Sequence, residues 1–253
     1  MSLEIKTALG ALVNRLSAEH ARLSEVQTAA ILALPGVVRT AVAGQVFVHE
    51  GDAPTHSCVI VVGLACRFKI VGDGTRQIHS FHLVGDMPDL QSLHLPKMDH
   101  SLSALRECRL AFIPHAPLRD LISHHPGLGA VFWRVSLIDA SIFREWLSNV
   151  GRRPGLNRIA HLLCELLVRC RVLGATKDTT ISVKITQAEL ADAQGLSVVH
   201  VNRAMRELKA QKLVDVFQRR IRILDFQALA ELGDFDPAYL HLRQVPDMTK
   251  LAG

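Results

Sequence analysis

The chain has 253 residues, enough for two modest domains, and its 49% hydrophobic and 21% charged content is that of a globular protein rather than a disordered one. The net charge of +5 is unevenly held: residues 150–225 carry fourteen Lys and Arg against seven Asp and Glu, and the rest of the chain carries 15 against 17. No apolar run reaches the length of a membrane span, charges interrupt the opening residues where a secretory signal would be apolar, and five cysteines without a CxxC pair read as reduced thiols of a cytoplasmic protein.

The first forty residues read as helical. An amphipathic helix opens the chain, a second short one runs from Ser24-Glu25 to about Leu32, and Leu34-Pro35-Gly36 breaks the pattern. From Val37 short β-rich runs follow: Val38–Val42, Gln45–His49, Ser57–Val62, Ala65–Val71, Arg76–Leu83 and Arg109–Pro114. Turn signals separate them, at Ala43-Gly44, Glu50-Gly51-Asp52, Gly63, Gly72-Asp73-Gly74 and Gly85-Asp86. Strands at this spacing predict an antiparallel roll or barrel.

Helical signals return at His115. Pro117–His124 fits a short helix, and Pro126 fits the first turn of a longer one reaching about Val150. Leu128, Val131, Val135, Ile138 and Ile142 form a stripe on it, widened by Phe132, Phe143, Trp146 and Leu147. The stripe suits either packing on a twin helix in a dimer or burial in the chain's own core. Gly151-Arg-Arg-Pro154 reads as a hinge. Leu156–Val172 is a further amphipathic helix with Ile159, Leu162, Leu163, Leu166 and Leu167 inward, Gly174–Thr180 a polar loop, and Ile181–Ile185 a short strand.

Next comes a helix-turn-helix pattern. Thr186 and Glu189 form a capping box, Ala188, Leu190, Ala191 and Ala193 give the first helix a small apolar surface, and Gln194-Gly195 ends it. Ser197 is the next N-cap, and Val201, Met205 and Leu208 share one face of the second helix. His200, Asn202, Arg203 and Arg206 fall on other faces. Two helices joined at a glycine also occur in domains without a nucleic-acid role. Here two strands follow at once, Leu213–Phe217 and Arg220–Leu224, as a wing would. Arg219, Arg220 and Arg222 make that hairpin basic, and the local charge excess is the footprint of phosphate contact.

The order of elements, an α+β chain of N-terminal antiparallel β-roll, long helix, hinge and C-terminal winged helix-turn-helix, resembles the Crp–Fnr superfamily of bacterial transcription regulators. The motifs that carry the resemblance are Ala43–Asp52 (AGQVFVHEGD), Val59-Ile-Val-Val-Gly63, Gly85-Asp86, Ser103-Ala104, Cys108–Ile113 and the helix-turn-helix itself. They extend over about Leu23 to Asp225. The resemblance implies a sensor domain over 1–125 (roll about 37–114), a dimerisation helix over 126–150, a winged helix-turn-helix over 151–225, and a C-terminal extension over 226–253.

It also implies a homodimer on double-stranded DNA, with recognition helix 197–210 in the major groove and RNA polymerase as a further partner. Candidate DNA-binding residues are Thr186, Gln187, Ser197, Val199, His200, Asn202, Arg203, Arg206 and Arg219. Arg203 matches the family's base-reading arginine, whereas Val198-Val199 stands where a base-reading glutamate is usual. Val199 could instead touch a thymine methyl.

Cyclic-nucleotide-binding relatives need a Gly-Glu pair and an arginine before Ser/Thr-Ala. Here the segments read Gly85-Asp-Met-Pro-Asp-Leu90 and Leu102-Ser103-Ala104. Gly85, Asp86, Asp89, Ser103 and Ala104 remain the candidate effector pocket, but an anion there would meet Asp86 and Asp89 without a fixed cation, so cyclic AMP is not expected. With no cysteine before Cys58, an iron–sulfur cluster is not expected either, and the histidines show no ligand spacing and read as scattered surface residues. No cofactor or metal is assigned. The chain contains no P-loop, G-x-S-x-G or H-E-x-x-H, so an enzyme is not expected. The alternative to a DNA-binding regulator is a ligand-binding regulatory module whose winged helix contacts another protein.

Overall fold

The computed structural model describes residues 3–176, 178–217 and 220–248. The chain divides into two compact units, Met1–Ala140 and Ser141–Gly253.

The first unit opens with α1 (Leu3–Arg15), a wide π-type turn (Leu16–His20) and α2 (Glu25–Leu32). Ser24 caps α2 through a capping box with Gln27. Seven strands follow: β1 (Val37–Ala41), β2 (Val46–Val48), β3 (His56–Val62), β4 (Ala65–Ile70), β5 (Arg76–His82), β6 (Ser101–Ala104) and β7 (Cys108–Pro114), with a 3-10 turn at Leu90–Leu93. They pair antiparallel in two sheets, ordered β1-β7-β3 and β2-β6-β4-β5. The run Cys58-Val-Ile is buried on both faces. Val59 packs with Ile5, Leu9 and Leu12 of α1, while Cys58 and Ile60 face the roll interior with Leu102 and Ala104. A strand covered on both sides reads as a continuous apolar run rather than an alternating one.

Helix α3 (His115–His124) starts directly from the end of β7, two residues earlier than expected, with Pro114 at its N-cap. Helix α4 runs over Pro126–Arg152. The stripe through Leu128, Val131, Ile138 and Ile142 is buried within the chain, with Phe132 and Trp146. Its reading as a dimer seam is therefore corrected: those residues belong to the chain's own core. The apolar face that α4 leaves exposed is another one, with Trp133 at 68%, Leu137 at 51% and Leu147 at 66%.

The second unit is built on α5 (Gly155–Val172), every residue of which from Ile159 to Cys170 is buried. Around it lie α6 (Gln187–Gln194), α7 (Val198–Ala210), the hairpin β8 (Val214–Phe217) and β9 (Arg220–Ile223), α8 (Phe226–Gly233) and a 3-10 turn (Pro237–Leu240). The expected strand Ile181–Ile185 is absent. Thr180 alone bridges to Arg222, flanked by hydrogen bonds between Ile181 and Ile221 and between Ile223 and Thr179. The chain turns away after Ile181, so its apolar spacing does not become a strand. Ala188 is exposed and drops out of the packing surface of α6, where Glu189 and Gln194 are buried beside Leu190, Ala191 and Ala193.

Helix α5 carries two of its charges, Glu165 and Arg169, inward. Glu165 is fully buried and accepts from Trp146 Nε1 at 2.8 Å, Tyr239 Oη at 2.8 Å and Arg169 Nη1 at 3.2 Å. His161 stacks on Tyr239 with ring centroids 5.8 Å apart and contacts the Gly233 carbonyl at 3.1 Å. Burial, reinforced by the Glu165 charge, pushes the Tyr239 phenol well above its usual range. Residues 226–240 thus close over α5, with Leu229 and Leu240 buried and Phe235 and Tyr239 half-buried.

Candidate nucleic-acid interface and signal site

The helix-turn-helix is assembled by local rules. Thr186 Oγ1 accepts from the Glu189 backbone at 3.2 Å, and Glu189 Oε2 accepts from the Thr186 backbone at 2.7 Å. Gly195 takes the left-handed conformation (φ 59°, ψ 40°) that ends α6, which a side chain resists by about 1 kcal/mol. Ser197 Oγ then accepts from the His200 backbone at 3.3 Å and meets His200 Nδ1 at 2.9 Å. Val201, Ala204, Met205 and Leu208 are buried, so the opposite face of α7 is presented outward.

That outward face holds Val199, 77% exposed, with Ser197, His200, Arg203 and Arg206 also exposed. Among the described residues, neither Arg203 nor Arg206 forms an ion pair or side-chain hydrogen bond. Asn202 is half-buried and donates to Gln187 Oε1 at 3.1 Å, so these two are tied to each other across the turn. Lys209 pairs with Asp215 at 2.9 Å and fixes the end of α7 to the wing. Arg220 and Arg222 are exposed on the hairpin. Arg219 lies outside the described residues.

Behind the interface, Asn149 Nδ2 donates to Gln194 Oε1 at 2.7 Å, and Arg158 Nη1 donates to the Gln194 carbonyl at 3.0 Å. Arg153 spans Glu145 at 2.7 Å and Asp234 at 3.0 Å. Asn149 and Arg158 hold α6 against the end of α4 and the start of α5, and Gln194, read only as a helix end, is where they meet, 45 and 36 residues away in sequence.

In the roll, the five candidate pocket residues are spent on separate partners. Gly85 (φ 88°) lies so close to α1 that a Cβ would meet Arg15 Cβ at 2.5 Å and the Ala11 carbonyl at 2.6 Å. Asp86 pairs with Arg15 at 2.7 Å and accepts from the Leu83 backbone at 2.8 Å. Asp89 is fully buried and accepts from the Cys58 backbone at 2.8 Å; burial raises its carboxyl to about 7. Ser103 meets Cys66 Sγ at 3.3 Å, and Ala104 lies in the roll core. The expectation that this region lacks a fixed cation is corrected. Arg15 sits on Asp86, and Arg67 of β4 reaches the Pro88 carbonyl at 2.7 Å. Arg67 stood in the sequence as a charge inside an apolar run, which was its only signal.

The histidines are not all on the surface, contrary to expectation. His82, His100, His115 and His161 are buried. His82 meets Ser80 at 2.8 Å, His100 meets Asp99 at 2.7 Å, and His115 meets Ser92 at 3.1 Å. Burial lowers His82 and His115, and takes His100 down to about 4. Among the described residues, no group of three or more His, Cys, Asp or Glu could hold a metal ion, and no helix is long and apolar enough to cross a membrane.

A roll of two antiparallel sheets followed by a long helix and a winged helix-turn-helix is the architecture of a DNA-binding regulator. Comparison with known proteins agrees. Residues 157–232 match the Crp-like helix-turn-helix domain, and residues 38–125 match the cyclic nucleotide-binding domain. The chain is 28% identical to the nitrogen fixation regulation protein FixK of Azorhizobium caulinodans over 69% of this chain and 70% of that protein. It is 25% identical to the transcriptional activator protein FnrL of Cereibacter sphaeroides over 76% of this chain and 79% of that one. The solved structure of FixK2 from Bradyrhizobium japonicum superposes with a TM-score of 0.72 at 20% identity, covering 79% of this chain and 98% of that one. The chain belongs to the Crp–Fnr superfamily of bacterial transcription regulators.

Proposed function

We propose that this chain works in the cytoplasm as a homodimer that reads two DNA half-sites and answers a signal received by the β-roll. The outward face of α7 carries the reading: Arg203 and Arg206 stand exposed, without an ion-pair partner among the described residues, beside an exposed Val199, opposite the buried Val201, Ala204, Met205 and Leu208. Arg203 would take the two acceptors of a guanine, and Val199 a thymine methyl. Thr186, Ser197, His200 and Arg206 would hold phosphates, and Arg219 would add a wing contact. The Gln187–Asn202 pair would act as one unit at the groove edge.

The exposed residues Trp133, Leu137 and Leu147 follow spacings compatible with a heptad repeat and support dimerisation through α4. Two recognition helices would then read sites roughly 34–36 Å apart. RNA polymerase is the partner through which bound protein would act. Leu102 is buried where the arginine of a cyclic-nucleotide-binding member would stand, so a cyclic phosphate would lack that particular partner, which speaks against cyclic AMP as the signal.

Retention of genomic fragments in a gel shift tests the reading. Specific retention that weakens steeply with salt is expected. Absence of specific retention under any condition would overturn it. A salt-independent complex with a protein would favour the second reading, in which the winged helix is a protein-contact surface; the exposed Arg220 and Arg222 speak against that one.

A further inference from the structure

Arg67 stands on β4 directly opposite Leu102 of β6. Cross-strand partners send their side chains to the same face of a sheet. Arg67 therefore enters the roll beside Leu102. Its guanidinium bridges two other elements: Nη1 donates to Asp139 Oδ2 of α4 at 2.7 Å, and Nη2 donates to the Pro88 carbonyl at 2.7 Å.

The two members of the ion pair are unequally enclosed. The Arg67 side chain is 11% exposed and the Asp139 side chain 36%. Removing Arg67 from its partner would leave a nearly buried cation, whereas Asp139 has water beside it. Asp139 is thus the member that can leave, provided another anion takes its place. Two polar atoms in the same region, Arg67 Nε and Asp89 Oδ2, are buried and find no partner among the described residues. Asp89 lies within the electrostatic reach of Arg67. An arginine with an unspent N–H in its fork has capacity for a second oxygen of a planar or tetrahedral oxyanion.

We propose that Arg67 is the anchor for a small oxyanionic effector, a carboxylate or phosphate species, and that Asp139 of α4 fills its anion place until the effector displaces it. Effector binding and release of α4 from the roll are then a single exchange. The proposal deepens the reading of the roll as the signal site and rests on it. The chemistry requires only an oxyanion that fits a guanidinium fork, and both headgroup types share it.

The test uses the full chain without DNA, so failure here is separable from failure of the DNA-binding reading. Inorganic phosphate and acetate are titrated calorimetrically into wild type, Asp139→Asn and Arg67→Gln/Asp139→Asn. An intramolecular carboxylate competes at an effective concentration on the order of millimolar or more. Asp139→Asn is therefore expected to bind at least one of the two anions about tenfold more tightly than wild type, and the double variant to lose that gain. Equal affinity in wild type and Asp139→Asn, or undiminished binding by the double variant, overturns the proposal. Should the double variant fail to fold, the Arg67 Nε–H resonance of Asp139→Asn decides. Its shift at saturating anion supports the assignment, and an unmoved resonance refutes it.

Discussion

Replacing Glu165 by Gln removes one acceptor from a place where three donors converge. Trp146 and Tyr239 both donate to Oε2 at 2.8 Å, and Arg169 donates to Oε1 at 3.2 Å. Gln offers one oxygen and one NH2, so whichever way it turns, a donor faces a donor. Each hydrogen bond to the carboxylate contributes about 1.5–3 kcal/mol. The buried Arg169 would also lose its counter-charge, a loss of about 3–5 kcal/mol when one partner of a buried pair is removed. These losses overlap, so about 3 kcal/mol is expected rather than their sum. At about 2–4 °C per kcal/mol, the melting midpoint falls by roughly 6–12 °C. Urea unfolding read by tryptophan fluorescence in a Trp133→Phe background isolates the signal of Trp146, since the chain has only these two tryptophans. A loss under about 1 kcal/mol would mean that water enters the site and relieves the lost acceptor, which would refute the network reasoning.

Arg203→Ala should weaken specific DNA binding by about 1–3 kcal/mol per half-site while leaving the melting midpoint unchanged, because the side chain is exposed; an unaltered site preference in competition gel shifts would remove Arg203 from base reading. Leu137→Glu, on the exposed face of α4, should yield monomer by light scattering, and a persistent dimer would place the interface elsewhere. Asp89→Asn should gain stability over wild type as pH rises from about 4 to 7. The Asp89 carboxyl, ordinarily near 3.8, is raised to about 7 by burial, so its contribution is complete at low pH and is lost as pH climbs through that window. His100, taken from 6.5 to about 4 by burial, acts in the opposite sense and loses stability as pH falls through its own window. A difference between Asp89→Asn and wild type that stays flat from pH 5 to 8 would show that Asp89 ionises normally.

Local rules made much of this protein legible in its sequence. The helix start at Ser24, the capping box at Thr186, the helix end at Gly195 and the cap at Ser197 each depend on residues within a few positions, and each falls where the sequence reading has it; only the structure adds Gln27 as the other half of a box at Ser24. Six of the seven β-roll strands were also readable, because turn glycines punctuate apolar segments of strand length, whereas the short β6 (Ser101–Ala104) was marked only by the family resemblance at Ser103-Ala104. The strand Ile181–Ile185 failed because apolar spacing cannot tell whether a partner edge is within reach, and the chain turns off after Thr180 makes its single bridge.

Periodicity likewise showed that α4 has an apolar stripe but not what the stripe meets. Only the packed chain decided that Leu128, Val131, Ile138 and Ile142 face inward and that Trp133, Leu137 and Leu147 remain outside. Tertiary structure alone also decided the charged interior. Arg67 with Asp139, and Glu165 with Trp146, Arg169 and Tyr239, are mostly pairings across long stretches of chain, and a buried charge finds its counterpart by proximity in space rather than by spacing in sequence.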